Sequence, residues 1–379
     1  MAPVPAPLLL SVYATFAVGG PQRRFVALAN RFAGRYRHRI VAMDGNTAAA
    51  GLLAPDLDVA FPAVAIRKGA TLANRRSFRA ALRDLRPDLL LTCNWGSIEW
   101  AMANFPRLVP HIHIEDGFGP EERDRQLPRR ALTRRLVLRG STVVVPSRTL
   151  ERIATDIWRL PPARVRYLPN GIDLARFAIA PDPDLRGGFA GAGPVIGTVA
   201  ALRPEKNLGR LLRAFRSVTE GAPARLVIVG DGPERAGLER LAAELGLADR
   251  VTFAGHSAEP APFYRAFDVF ALSSDTEQMP LALIEAMAAG LPVAATDVGD
   301  VRAMLAGENG PFVAPPDDAG FTAALAALIA APGRWSALGA ANLARAKAEF
   351  DQERMFAAYA ALFEAAIAGG GPPSHAFSA

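Results

Sequence analysis

The 379-residue chain predicts an α/β protein of two doubly wound, parallel-sheet domains. Three observations lead there. Short, continuously apolar, β-branched runs alternate with longer helical patterns, as in parallel sheets covered on both faces. The runs fall into two sets. Between the sets lies APDPDLRGGFAGAGP (180–194), whose Pro and Gly content reads as a linker.

In the first set the strand candidates are LLLSVY (8–13), RIVAM (39–43), DLLLT (88–92), VPHIHI (109–114), STVVVP (141–146) and RVRYL (164–168). In the second they are VIGTVA (195–200), ARLVIVG (224–230), VTFAG (251–255), DVFALSS (268–274) and PVAAT (292–296). The expected division is an N-terminal domain over 1–180, a linker over 181–194 and a C-terminal domain over 195–350. A last helix over 351–369 is expected to pack back on the N-terminal domain, and the tail GGGPPSHAFSA reads as mobile. Ligands of such sheets gather beyond the carboxyl ends of the strands.

Composition narrows the setting. Half of the residues are hydrophobic, enough for two sizeable cores. Cys93 is the only cysteine, which excludes an intrachain disulfide and fits a reducing compartment. The opening MAPVPAPLLLSVYATF lacks a basic flank and is broken by prolines, so it does not read as a signal peptide. No run of about 18 apolar residues suggests a membrane span. A cytoplasmic protein is expected.

The formal net charge of +6 is unevenly spread. Residues 1–180 carry 27 basic against 14 acidic residues, and the remainder 16 against 23. The excess clusters in RFAGRYRHR (31–39), RKGATLANRRSFRAALRDLR (67–86) and RRALTRRLVLR (129–139). Two readings stand. One is peripheral contact with an anionic membrane, at the inner face of the cytoplasmic membrane, or with an acidic ligand. The other is a set of solvated helix faces in an Arg-rich chain. No nucleic-acid motif accompanies the charge, and nucleic acid is not an expected partner.

Several phosphate-loop and catalytic signatures are excluded. GxxxxGK[ST], GxSxG and HExxH do not occur. GAGPVIG (191–197) and VGDGPER (229–235) each miss a glycine of GxGxxG.

Five stretches carry chemistry. In AALRPEKN (200–207), Arg203 and Lys206 follow a strand and can clamp a diphosphate. Lys206 is one of only three lysines, beside forty arginines, so a compact ammonium is favoured there. VGDGPE (229–234) suits a strand-to-helix turn, with a ligand role left open. Gly19 and Gly20 let backbone approach a ligand at a helix start. In HIHIEDG (111–117), His113 and Glu115 share a strand face. In TEQMPLALIEAMAAG (276–290), Leu281, Ile284, Glu285 and Ala288 form one stripe of a helix starting near Pro280, with Glu277 just ahead of it. Burying Glu285 unpaired would be costly, so it calls for a partner.

In this order and spacing the motifs resemble the retaining glycosyltransferases of family 4, which have the GT-B fold of two Rossmann-like domains facing a cleft. GGPQRRFVALANRF resembles the family's first glycine loop and helix. RPDLLLTCNWGSIEW and VPHIHIEDG resemble acceptor-domain strands of a bacterial subgroup that makes exopolysaccharide or lipid-linked sugars. YLPNGIDLARF (167–177) resembles the interdomain segment. LRPEKN, GDGPE and SSDTEQMPLALIEAMAAGLPVAATDVGD resemble the donor domain.

The resemblance implies roles. Arg203 and Lys206 would hold the diphosphate of a nucleotide-sugar, a UDP-sugar ahead of a GDP-sugar. Glu285 would bond the ribose hydroxyls, and Glu277 would meet the sugar. Gln278, Met279, Pro280 and Leu281 would face the donor, and Gly255 and His256 would border the base. His113 would sit near the sugar, with Gly19 and Gly20 near the phosphate. Asn94, Trp95, Glu99, Glu115 and Asp116 are the acceptor-side candidates. Sugar transfer with retention, to a glycan or lipid-linked acceptor, would need no metal and no other cofactor. Many members carry Gly-Phe-Gly where this chain has Gln278-Met279-Pro280. The rival readings are a GT-B nucleotide-sugar epimerase or phosphorylase, and a catalytically silent nucleotide-sugar-binding protein.

Overall fold

A computed structural model describes residues 5–122, 125–189 and 193–369. The chain divides into two compact units. One runs to Pro169 and resumes at Met355; the other is Asn170–Arg354.

The first unit orders β1 (Leu8–Tyr13), α1 (Gly20–Arg31), β2 (Arg37–Ala42), β3 (Val59–Ala60), α2 (Thr71–Leu85), β4 (Leu89–Cys93), α3 (Ile98–Ala103), β5 (His111–Ile114), α4 (Pro128–Val137), β6 (Thr142–Val145), α5 (Arg148–Arg152) and β7 (Val165–Tyr167). Its seven strands are parallel, in the order β3-β2-β1-β4-β5-β6-β7. Leu9 pairs with both His38 and Leu89, so β1 lies inside the sheet. This explains its unbroken apolar run: β1 and β4 are buried at every position.

The second unit orders α6 (Pro183–Phe189), β8 (Val195–Val199), α7 (Leu208–Val218), β9 (Arg225–Val229), α8 (Arg235–Glu244), β10 (Val251–Gly255), α9 (Ala261–Ala266), β11 (Val269–Leu272), α10 (Leu281–Ala288), β12 (Val293–Thr296), α11 (Val301–Met304), β13 (Val313–Ala314), α12 (Asp318–Ile329) and α13 (Trp335–Glu349). Its sheet is again parallel, in the order β10-β9-β8-β11-β12-β13. One core cluster joins Leu283, Ile284 and Met287 of α10 to Val293 and Phe270; another joins Leu211 and Phe215 of α7 to Leu226, Phe321 and Leu325.

The last helix, α14 (Gln352–Ile367), places Met355, Phe356, Tyr359, Leu362 and Phe363 in one core with Leu9, Leu28, Leu91 and Ile112. Most of the tail lies outside the described residues. Among the described residues no single helix is long and apolar enough to cross a membrane.

Two differences from the sequence reading have physical causes. The units part at Pro169/Asn170 and not within 181–194. Pro183 opens a helix there, as proline does in a first turn, and Arg186 ties that helix to Asp268 at 2.8 Å. Residues 190–192 of the expected linker lie outside the described set. The edge strands β3 and β13 are two residues long, too short to show alternation in sequence.

Candidate functional site

In the second sheet the order reverses between β8 and β11, because β9 and β10 lie on one side and β12 and β13 on the other. The carboxyl ends at such a reversal are where doubly wound sheets take ligands. The two loops leaving that point are 200–207 and 273–280, which hold Arg203, Lys206 and Glu277.

The Lys206 ammonium donates to Glu277 Oε1 at 2.6 Å, and Ser274 Oγ donates to the same oxygen at 2.7 Å. Glu277 Oε2 has no hydrogen bond among the described residues. Arg203, in extended conformation ahead of the turn Pro204–Lys206, is exposed. The structure thus brings Lys206 and Glu277, expected at the diphosphate and the sugar, into direct contact, with Arg203 immediately ahead of the turn.

A brace formed by long-range contacts holds this pair. Asn207 adopts the left-handed conformation (φ 41°, ψ 51°) and caps α7 through Arg210 N–H. Its side-chain amide donates to Asp275 Oδ1 at 3.0 Å. Arg210, 5% exposed, meets Asp275 at 2.9 Å and donates to the carbonyls of Ser273 and Pro316. Ser273 Oγ donates to the Lys206 carbonyl at 3.1 Å, and Asp275 N–H to that of Glu205 at 2.9 Å. The available signal was Asn207 standing just before an apolar helix, a capping position.

The GDGPE turn acts on the same loop. Gly230 (φ 139°) lies so close to residue 200 that a Cβ would come within 1.8 Å of the Ala200 carbonyl oxygen. Leu202 N–H donates to Asp231 O, and Glu234 N–H to Leu202 O, each at 3.0 Å. The glycine thus lets two loops pack, which gives the motif a structural role. Gly255 (φ 77°) accepts from Gly230 N–H at 2.8 Å, and His256 beside it is exposed.

Helix α10 begins one residue later than expected, with Pro280 at its N-cap. Leu281 and Glu285 are half-buried. Glu285 Oε2 accepts from the Tyr264 hydroxyl at 2.7 Å, and that hydroxyl also reaches the Ala282 carbonyl at 3.2 Å. Burial first, and the Glu285 charge second, raise the Tyr264 pKa well above its ordinary value. So Glu285 has a protein partner that the sequence reading did not name. Met279 turns inward: it is 6% exposed, and its sulfur accepts from Asn170 N–H at 3.2 Å. The 277–278 backbone is gripped from the loop after β12. Asp300 N–H donates to Gln278 O at 3.1 Å, and a Cβ on Gly299 (φ 57°) would strike Glu277 O at 2.3 Å.

In the first unit the reversal lies between β1 and β4. The loop after β1 holds Gly19, and Gly20 begins α1. Gly19 is extended (φ −161°), so its dihedral does not require glycine; the close neighbour is the side chain of Gln22, which donates to Thr15 O at 2.9 Å.

His113 is fully buried and opens onto no surface. Its Nδ1 lies 2.7 Å from Thr92 Oγ1, which lies 2.8 Å from His111 Nε2, and His111 Nδ1 lies 2.7 Å from Ser141 Oγ. His113 Nε2 faces Glu115 Oε2 at 3.5 Å. That oxygen accepts from Arg134 Nε at 3.2 Å, and Arg134 also engages Glu122. Burial, then His113 and Arg107, push the His111 pKa well below its ordinary value, so that ring is neutral.

Of the acceptor-side candidates, Glu115 belongs to this row and Trp95 adjoins it through Arg134. Asn94, at positive φ (57°), accepts from Asp116 N–H at 2.7 Å. Asp116 takes both nitrogens of Arg24, at 2.5 and 2.8 Å. Trp95 carries the Arg130 and Arg134 guanidiniums near its ring, at 4.8 and 5.0 Å. Glu99 is turned to Thr71 and Asn74, at 2.6 and 2.8 Å, bracing α3 to α2.

Comparison with known proteins accords with this geometry. The model "Glycosyltransferase Family 4" matches residues 18–176, and "Glycosyl transferases group 1" matches 193–331. A GDP-mannose-dependent alpha-(1-6)-phosphatidylinositol monomannoside mannosyltransferase of Mycolicibacterium smegmatis is 36% identical over 198 residues, covering 48% of this chain. The chain spans about half of that enzyme's length, 51%. A D-inositol 3-phosphate glycosyltransferase of Frankia alni is 33% identical over 283 residues, covering 68% of this chain and 70% of that one. The crystal structure of Anabaena Alr3699/HepE in complex with UDP superposes with a TM-score of 0.78 at 20% identity, covering 94% of this chain and 98% of that one, a likeness of fold. The chain belongs to the group 1, family 4 glycosyltransferases and has their GT-B fold.

Proposed function

We propose that this protein moves a sugar, with retention, from a nucleoside-diphosphate sugar to a glycan or lipid-linked acceptor in cell-surface polysaccharide or glycolipid synthesis. The observation that carries the proposal is the Lys206–Glu277 pair at the strand reversal, with Arg203 exposed beside it. Arg203 and Lys206 supply positive charge for a diphosphate leaving group, and that charge does the work a metal ion does elsewhere. Glu277 offers Oε2 to the sugar, and Glu285 offers a carboxylate to ribose hydroxyls. The donor is a UDP-sugar, for which the HepE complex is a precedent of fold, ahead of the GDP-sugar named for the mannosyltransferase. The basic first unit is the side for contact with an anionic membrane at the inner face of the cytoplasmic membrane.

The test is a melting screen of nucleotides and nucleotide-sugars, followed by a transfer assay with the donor that raises the melting point most. UDP-sugars should shift it by several degrees, and the product should keep the donor's anomeric configuration. Absence of any shift with UDP- or GDP-sugars, or an inverted product, would overturn the reading.

A further inference from the structure

Helix α4 presents an outer face that nothing within the described fold covers. Its segment, PRRALTRRLVLR (128–139), holds five arginines and no acid. Two of the five turn inward. Arg134 is buried against Glu115 and Glu122, and Arg130 meets Glu121 and Glu122 at 2.5 and 3.2 Å. Leu138 is also fully buried.

The opposite face carries Arg129, Leu132 and Leu136 at i, i+3 and i+7, with Arg135 beside them and Arg139 in the turn that follows. All five are exposed, Leu132 at 54% and Leu136 at 61%. None of the three outer arginines meets an acid among the described residues. Two leucines flanked by three unneutralised guanidiniums match a bilayer interface with anionic headgroups. The leucines enter the acyl boundary and the arginines take the phosphates.

We propose that the outer face of α4, centred on Leu132 and Leu136, docks this protein on an anionic lipid bilayer. Charge selects this occupant: an apolar protein partner would not call for three cations around two leucines. The inner arginines have a part as well, since their neutralisation holds α4 against the fold with its leucines outward. This names the surface for the membrane contact in the proposed function. It is tested without donor or acceptor, so its failure leaves the transferase reading untouched.

The experiment is flotation of the full chain with phosphatidylcholine vesicles, with and without phosphatidylglycerol. Binding should require phosphatidylglycerol and weaken as salt rises. R129Q/R135Q/R139Q should lose about fivefold in affinity per arginine, about 100-fold in all. L132E/L136E should not float at all. Circular dichroism and melting should match the wild type for both variants, because each altered side chain is exposed. Three results would overturn the proposal: no preference for phosphatidylglycerol at low salt, undiminished flotation of the variants, or a wild-type dimer that L132E/L136E converts to monomer while vesicles bind neither.

Discussion

Lys206 Nζ and Glu277 Oε1 lie 2.6 Å apart, joining the ends of β8 and β11 where the strand order reverses. The two residues are 71 apart in sequence. Their positions follow from the brace of Asn207, Arg210 and Asp275, which holds each loop by backbone and side chain.

The pair is largely enclosed, with side chains 23% and 8% exposed, so removing one partner leaves the other charge uncompensated. Lys206→Ala and Glu277→Ala should each lower kcat by about 100-fold or more, with a lower melting point but a folded protein at the assay temperature. Steady-state kinetics beside calorimetry checks this. Full turnover by either variant would remove the pair from the mechanism.

Tyr264→Phe removes the hydroxyl that holds Glu285 Oε2 and keeps the packing ring. One hydrogen bond to a charged group contributes about 1.5–3 kcal/mol. The donor KM should therefore rise about tenfold, with kcat almost unaltered. A fall in kcat at constant KM would place Tyr264 elsewhere.

The row Ser141–His111–Thr92–His113–Glu115 has a determined polarity. Thr92 has one hydroxyl proton and two imidazole neighbours, so one ring must donate to it. The Glu115 carboxylate opposite His113 Nε2 favours a proton on that nitrogen. Thr92 then donates to His113 Nδ1 and accepts from His111 Nε2–H, and Ser141 donates to His111 Nδ1. Nitrogen-15 NMR should show a proton on Nε2 of both rings. In Thr92→Val the His113 signal should move and the fold lose about 1–3 kcal/mol, because buried polar atoms lose their partners. A proton on His113 Nδ1 in the wild type would reverse this assignment.

His38 is 2% exposed, and neither ring nitrogen has a hydrogen-bond partner among the described residues. Burial lowers its pKa to about 4. The unfolded chain, near the ordinary value of about 6.5, takes up a proton first as pH falls. Stability should thus decline from about pH 6.5 and level off below about pH 4, by about 3 kcal/mol in all. His38→Leu should remove this part of the acid dependence and leave stability at pH 7 equal or higher. Urea titrations of both proteins at pH 7 and pH 5 compare the slopes; parallel losses would count against it.

Most of the fold was legible because strands of covered parallel sheets are written as local, mostly apolar runs, and eleven of the thirteen among the described residues lie within a few residues of their expected positions. The charge on Arg203, Lys206 and Glu277, and the glycines of the tight turns, were legible for the same reason: their chemistry shows in residue type and near spacing. Sequence by itself therefore determined two sheets, their strand ends and the candidate donor residues. Tertiary structure alone decided what those residues touch. It paired Lys206 with Glu277, gave Glu285 to Tyr264, enclosed His113 behind Thr92, and turned Arg134 inward while leaving Leu132 and Leu136 outside. Such choices depend on long-range packing and on the need of each buried polar atom for a partner, and neither is encoded in local spacing.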